Sequence, residues 1–203
     1  MIRLHHLRIG RSLFTLWQLE ELGAEYDLEV YLRDENFRAP AALKEIHPLG
    51  KSPVVEDGDL ILSESSAITT YLLEKFDKEN RFAPPRTQLN DWARFTQWLH
   101  YPEGSVFGPL LIKMLLLRGG EHVGLETFSA KEIALHLDHI DNQLGANDYI
   151  LGSDFSAADF GVAYVVSLAD RLGQLDANPT LKAYLARCMQ RPAFARAVEK
   201  GVE

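Results

Sequence analysis

Apolar residues recur along the first third of the chain with two different periods. Ile2, Leu4 and His6 alternate with Arg3 and His5, the period of a short strand. The stretch Ser12–Leu22 holds neither glycine nor proline. Its Phe14, Leu16, Trp17, Leu19 and Leu22 predict a largely apolar helix, which Gly23 is placed to end in a left-handed conformation. Tyr26, Leu28, Val30 and Leu32 then alternate with Asp27, Glu29, Tyr31 and Arg33, the period of a second strand. A short helix is predicted over 41–46, with Pro40 at its first turn. Residues 54–56 and 60–62 flank Asp57-Gly58-Asp59 and read as a hairpin. Ile68, Leu72 and Phe76 set a helical spacing over 64–76.

The order is strand, helix, strand, short helix, hairpin, helix. A strand–helix–strand unit requires parallel pairing through a right-handed crossover, and the hairpin adds antiparallel strands whose faces helices must cover. Residues 78–85, with Asn80, Pro84 and Pro85, read as a linker, after which the pattern is helical throughout. Leu89, Trp92, Phe95 and Leu99 form one stripe, and Ile133, Leu137, Ile140 and Leu144 another. Further helices are predicted over 157–172 and 181–190, with a last short one after Pro192. Pro102 and Gly104 interrupt a long helix, so a kink is expected there. The prediction is an α/β domain over 1–80, a linker over 81–86 and an all-α helical C-terminal domain over 87–203.

Composition narrows the function without naming it. With 203 residues, 46% apolar and 25% charged, the chain fits a globular protein rather than a disordered or collagen-like one. Lysine plus arginine is 21 against 29 acidic residues, a formal charge of −8 with no long basic run, which argues against nucleic acid as a partner. The single cysteine, Cys188, excludes an internal disulfide, a CxxC redox pair and a multi-cysteine zinc site, and points to a reducing, cytoplasmic setting. No targeting signal is read at the start. No apolar run is long enough to span a membrane, the longest, 110–117, being broken by Lys113.

Gly50-Lys51-Ser52 resembles the end of a phosphate-binding loop, but Glu45 stands where that loop needs glycine, and Pro53 and a strand follow instead of a helix. Pro53 opens a strand, which confines it to a strand start or an edge, and it pushes Ser52 into an extended shape. The backbone of Ser52 is thereby offered to an extended ligand that adds to the sheet. Twelve residues on, Glu64-Ser65-Ser66 opens a helix, with Ser63 as candidate cap. A helix start attracts a carboxylate, and an acidic side chain beside it takes an ammonium group, so together they grip a free amino-acid end. Ser156-Ala157-Ala158-Asp159 is a helix-start box of structural character, bracketed by Phe155 and Phe160. Its loss in Asp159→Ala is expected to cost roughly 1 kcal/mol or more. His136 and His139, with Asp138 and Asp141 nearby, read as an exposed polar helix face, and no metal is called for.

Gly50-Lys51-Ser52-Pro53, Glu64-Ser65-Ser66-Ala67-Ile68 and Ser156-Ala157-Ala158-Asp159 together resemble a cytosolic glutathione transferase, over essentially the whole chain. Leu4-His5-His6, Leu19-Glu20-Glu21-Leu22-Gly23 and Trp98-Leu99-His100-Tyr101-Pro102-Glu103-Gly104-Ser105 resemble a bacterial and fungal branch. The resemblance implies a thioredoxin-like first domain, a cis bond before Pro53, glutathione as co-substrate and a cytoplasmic homodimer acting in detoxification. The Ser52 backbone would pair with the cysteinyl part of glutathione, Glu64 and Ser65 would hold its γ-glutamyl end, and Lys51, with His47 nearby, would meet its glycine carboxylate. The thiol activator is open. The branch often carries serine where this chain has Gly10, which leaves Arg11 and Ser12 as candidates. Tyr101, Glu103 and Phe107 are the candidate contacts of a small hydrophobic electrophile. Two alternatives stand beside conjugation: a non-catalytic glutathione-binding regulator, and a glutathione-dependent peroxidase or disulfide reductase.

Overall fold

The structure is a computed structural model that describes residues 1–202, and it divides into two compact units. One holds Met1–Arg81 and the segment from Gln190 on, the other Phe82–Met189. The first unit contains strand β1 (Ile2–Leu7), helix α1 (Ser12–Leu22), β2 (Tyr26–Tyr31), α2 (Ala42–Ile46), β3 (Val54–Asp57), β4 (Leu60–Ser63) and α3 (Ser65–Phe76). Its sheet has the order β2-β1-β3-β4, with β1 parallel to β2 and antiparallel to β3, and β3 antiparallel to β4. This is the α/β arrangement that the alternating pattern predicts, in the thioredoxin-like form that the resemblance implies. Gly23 ends α1 at φ 62°, where a side chain would be strained.

One sheet position breaks the apolar pattern. His5 is buried, and its ring bridges three strands: Nδ1 lies 2.9 Å from the Tyr31 hydroxyl and Nε2 2.9 Å from Glu56. Both ring nitrogens are thus satisfied, which removes the penalty for burying them. At the hairpin, the Asp57 carboxylate accepts from Lys75 and from the Tyr71 hydroxyl, and so ties β3 to α3. The Lys75 ammonium, then the Tyr71 hydroxyl, hold its pKa down from 3.8 to about 2. A depressed folded-state value stabilises the fold above the unfolded value and loses that contribution as pH falls through the folded one. The urea midpoint of the wild type should therefore fall more steeply than that of Asp57→Asn between pH 3.8 and about 2. Parallel curves across that window would refute the assignment.

The helical segment after Pro192 was predicted as part of the C-terminal domain. Instead α9 (Pro192–Gly201) packs on α1 of the first unit. Phe194 meets Trp17 edge-on at 5.2 Å between centroids. Arg191 forms a two-pronged pair with Glu21 at 2.5 and 2.9 Å, while Arg196 and Lys200 hold Glu20 at 2.7 and 2.5 Å. Gly201 at the end of α9 allows a close approach, because a Cβ there would stand 3.0 Å from the His6 ring.

The second unit is helical: α4 (Leu89–Tyr101), α5 (Phe107–Gly119), α6 (Val123–Leu144), α7 (Ala158–Arg171) and α8 (Pro179–Met189). The expected interruption at Pro102 takes the form of a π-helical turn over Pro102–Val106 joining α4 to α5. Such a turn accommodates the carbonyl that proline leaves without its usual donor. All four residues of the second predicted stripe are buried in α6. The first stripe holds at Phe95 and Leu99, but Leu89, at the first position of α4, is 73% exposed. Among the described residues no helix is long and apolar enough to cross a membrane.

Candidate functional site

The site in the first unit begins with the loop entering β3. The Ser52–Pro53 bond is cis, and Pro53 is buried. The Ser52 hydroxyl donates to the His5 carbonyl at 2.7 Å and accepts from the Leu7 amide at 3.1 Å. These two bonds pin the loop to the carboxyl end of β1. Neither the amide nor the carbonyl of Ser52 has a backbone partner among the described residues. Gly50 precedes at φ 56°, where a side chain would be strained, and a Cβ there would displace the Lys44 side chain, 2.7 Å away. Lys51 is exposed, and His47 is half-buried with Nδ1 accepting from the Leu49 amide at 3.4 Å.

The β3–β4 register joins the two predicted motifs. Val54 stands opposite Ser63, so the next pair outward sets Pro53 across from Glu64. Helix α3 starts at Ser65, and Glu64 takes the cap position. Ser63, the expected cap, is the last residue of β4 instead, and the Glu64 side chain makes no cap hydrogen bond. Glu64 has φ 72° and ψ 115°, a strained backbone for a residue with a Cβ. Its carbonyl accepts from Ile68 at 2.9 Å and so joins the helix, while its side chain is exposed. An extended edge, a carboxylate and a helix start with partial positive charge therefore sit side by side.

The turn between β1 and α1 lies beside this loop. Ser12 is fully buried, and its hydroxyl accepts from the Leu7 amide at 3.0 Å and donates to the Leu7 carbonyl at 3.2 Å. A hydroxyl has one hydrogen, and here Leu7 takes it. Of the two roles open to Ser12, donor to a thiol or closure of the helix start, the hydroxyl here performs the second. Arg11 caps α1 by position and is half-buried. Leu7 is the hub of this corner, because its amide meets both Ser12 and Ser52, forty residues apart in sequence.

In the helical unit the Tyr101 hydroxyl lies 2.6 Å from His136 Nδ1, and His139 stacks on Trp98 at 5.3 Å. His136 is therefore part of an aromatic cluster and not of an exposed polar face, as its spacing had suggested. Burial pushes its pKa down, more than Glu132 pulls it up. With the ring neutral, Nδ1 accepts the Tyr101 hydrogen and Nε2 faces Glu132 at 3.8 Å, an assignment made from these partners. Burial likewise pushes the Tyr101 pKa up. Glu103 lies in the π-helical turn, and Phe107 stacks on Tyr164 with centroids 6.1 Å apart. Among the described residues no three histidine, cysteine, aspartate or glutamate side chains are grouped so as to hold a metal ion.

A thioredoxin-like unit with a cis-proline loop beside a helix start, followed by a helical unit, defines a two-part class of fold. Comparison with known proteins identifies which. The family model described as "Glutathione S-transferase, N-terminal domain" matches residues 2–74, and "Glutathione S-transferase, C-terminal domain" matches residues 126–187. The chain is 32% identical to "Glutathione S-transferase 3" of Schizosaccharomyces pombe, over 98% of this chain and 88% of that protein. It is 28% identical to "Glutathione S-transferase 1" of Saccharomyces cerevisiae, over 98% and 95%. A crystal structure of a glutathione S-transferase from Actinobacillus pleuropneumoniae superposes with a TM-score of 0.91 at 32% identity, covering 100% of this chain and 93% of that one. The chain belongs to the glutathione S-transferase family. It is a transferase with glutathione as co-substrate.

Proposed function

We propose that glutathione lies extended along the loop entering β3, its cysteinyl backbone pairing with the amide and carbonyl of Ser52. Glu64 takes the ammonium group of the γ-glutamyl end, and Ser65 with the start of α3 takes its carboxylate. Lys51, with His47 nearby, meets the glycine carboxylate. The observation that carries this reading is the register that sets Pro53 across from Glu64, with the backbone of Ser52 lacking a backbone partner beside them.

From that pose the thiol faces the β1–α1 turn. A free thiol has a pKa near 8.5, so about 3% is ionised at neutral pH. Positive charge beside the sulfur favours the thiolate, and Arg11 at the start of α1 supplies it, helped by the helix dipole. The thiolate then attacks a small hydrophobic electrophile held by Tyr101, Glu103 and Phe107. A carbon–sulfur bond forms, and the electron pair of the broken bond leaves with the departing group. Tyr101, whose hydroxyl hydrogen is given to His136, contributes its ring more than a proton. The active form is proposed to be a cytoplasmic two-fold homodimer. Neither the regulatory nor the peroxidase or disulfide-reductase reading draws support from the relatives, which are named transferases.

Titrating bound glutathione by thiolate absorbance tests the activator. Wild type should show a thiol pKa below 8.5, and Arg11→Ala should return it upward by about one unit, a tenfold smaller thiolate fraction. Equal values in both proteins would remove Arg11 from the chemistry. Retention on immobilised glutathione together with turnover of a chlorodinitrobenzene-type electrophile is the expected result for the function as a whole.

A further inference from the structure

Arg33 follows β2, outside every motif used above, and its guanidinium spans the corner where the thiol would lie. Nε donates to the Arg8 carbonyl at 3.1 Å, Nη2 to the Ile9 carbonyl at 2.7 Å and Nη1 to the Phe37 carbonyl at 3.1 Å. Two of these three carbonyls belong to strained residues. Ile9 has φ 56° and Phe37 φ 62°. A left-handed conformation is uncommon for any residue with a Cβ, and for a β-branched one such as Ile9 it is an outlier that persists only where its surroundings enforce it. The Phe37 ring lies 5.4 Å from the guanidinium. The loop holding Phe37 is itself fixed, because the Asp34 carboxylate accepts from the amides of Asn36 at 2.9 Å and Arg38 at 2.8 Å. Arg33 Nη2 also lies 3.4 Å from where a Cβ at residue 10 would stand, and the Leu7 carbonyl 3.0 Å from it. A side chain at position 10 would therefore crowd both.

We propose that Arg33 is the positioning residue of the thiol end of the site: its three-pronged grip on the backbone holds Ile9 left-handed and so sets the β1–α1 turn in the shape that aims Arg11 and the start of α1 at the sulfur. A planar fork with several fixed donors suits this task, and the single ammonium of lysine does not replace it. The proposal rests on the pose described under Proposed function. It predicts that the thiol pKa depends on geometry around residues 8–11 and not on the charge at position 33 alone.

The test compares wild type, Arg33→Lys, Arg33→Ala and the double variant Arg33→Ala with Ile9→Gly. Bound-glutathione thiolate titration, kcat and the KM for glutathione are measured, with circular dichroism to confirm folding. Both single variants should raise the bound thiol pKa by about one unit and lower kcat about tenfold, with the KM for glutathione changing about twofold or less, because the γ-glutamyl end is held elsewhere. Glycine adopts a positive φ without penalty, so the double variant should recover part of the thiol pKa and of kcat. Wild-type thiol pKa and kcat in Arg33→Ala would overturn the proposal. Full activity in Arg33→Lys would also overturn it, by showing that charge suffices. A double variant no better than Arg33→Ala would do the same, and if Arg33→Ala fails to fold, Arg33→Lys decides. A wild-type thiol pKa already at the free value would instead sink the pose on which the proposal rests.

Discussion

Asp159→Ala is expected to destabilise the helical unit by about 2–5 kcal/mol, because it strands buried neutral donors at about 1–3 kcal/mol each. Asp159 is fully buried, and its carboxylate accepts four hydrogen bonds: from the Ile150 amide at 2.9 Å, the Ser156 amide and hydroxyl at 2.8 Å each, and the Tyr184 hydroxyl at 2.9 Å. The sequence pattern suggests a cap worth roughly 1 kcal/mol. The structure raises that figure, because one side chain joins the start of α7 to the turn at Ile150 and to α8. The box also differs from its expected form. The Ser156 hydroxyl donates to the carboxylate, while the Asp159 amide bonds the Ser156 carbonyl at 3.0 Å. Burial pushes the Asp159 pKa up even against these four donors. Asp159→Asn keeps the shape but turns an amino group towards donors, so its loss should fall between wild type and alanine. Urea unfolding followed by helical circular dichroism measures both. A loss below about 1 kcal/mol in Asp159→Ala would mean that other groups satisfy the four donors.

Glu64→Gly should abolish most glutathione affinity while leaving the fold as stable as, or more stable than, the wild type. The carboxylate is proposed to hold the ligand's ammonium group, and a charge-assisted hydrogen bond contributes about 1.5–3 kcal/mol, a ten- to 150-fold change in affinity. At φ 72° the Glu64 backbone is strained, at a cost of about 1–3 kcal/mol that glycine relieves. In the proposed pose, the grip of this side chain on the ligand is what the strained position serves. Calorimetry with glutathione and thermal unfolding of the same samples give the two readouts. Wild-type affinity in Glu64→Gly would place the γ-glutamyl end elsewhere. A melting temperature several degrees lower would show that the strain is compensated by contacts of the side chain.

The order of elements in the first unit was legible because each strand and helix carries its own period. Tyr26, Leu28 and Val30 alternate as β2 does, and the turn at Gly58 fixes the hairpin that sets Pro53 across from Glu64. The candidate glutathione-binding residues come from two motifs and the family resemblance, and the hairpin brings those motifs, Ser52-Pro53 and Glu64-Ser65, to neighbouring positions. Other features are invisible to periodicity. The cis bond before Pro53 follows from a family resemblance and not from spacing. The hydroxyl of Ser52 was passed over in favour of its backbone, yet it is the hydroxyl that binds β1. Ser12 looks like a helix-start donor, but only the path of β1 shows that Leu7 takes its hydrogen.

The amino-acid sequence by itself therefore determined an α/β part followed by a helical part, the parallel pair, and the hairpin corner on which the glutathione reading rests. Tertiary structure alone decided that α9 returns to α1 through Arg191 and Glu21, that His136 joins Tyr101, and that Arg33 holds the carbonyls of Arg8 and Ile9. The reason is physical. Hydrophobic periodicity reports which face of a local element turns inward, a property of near neighbours in the chain. A side-chain hydrogen bond to a residue 25 or 170 positions away leaves no periodic trace, because it depends on how whole elements pack.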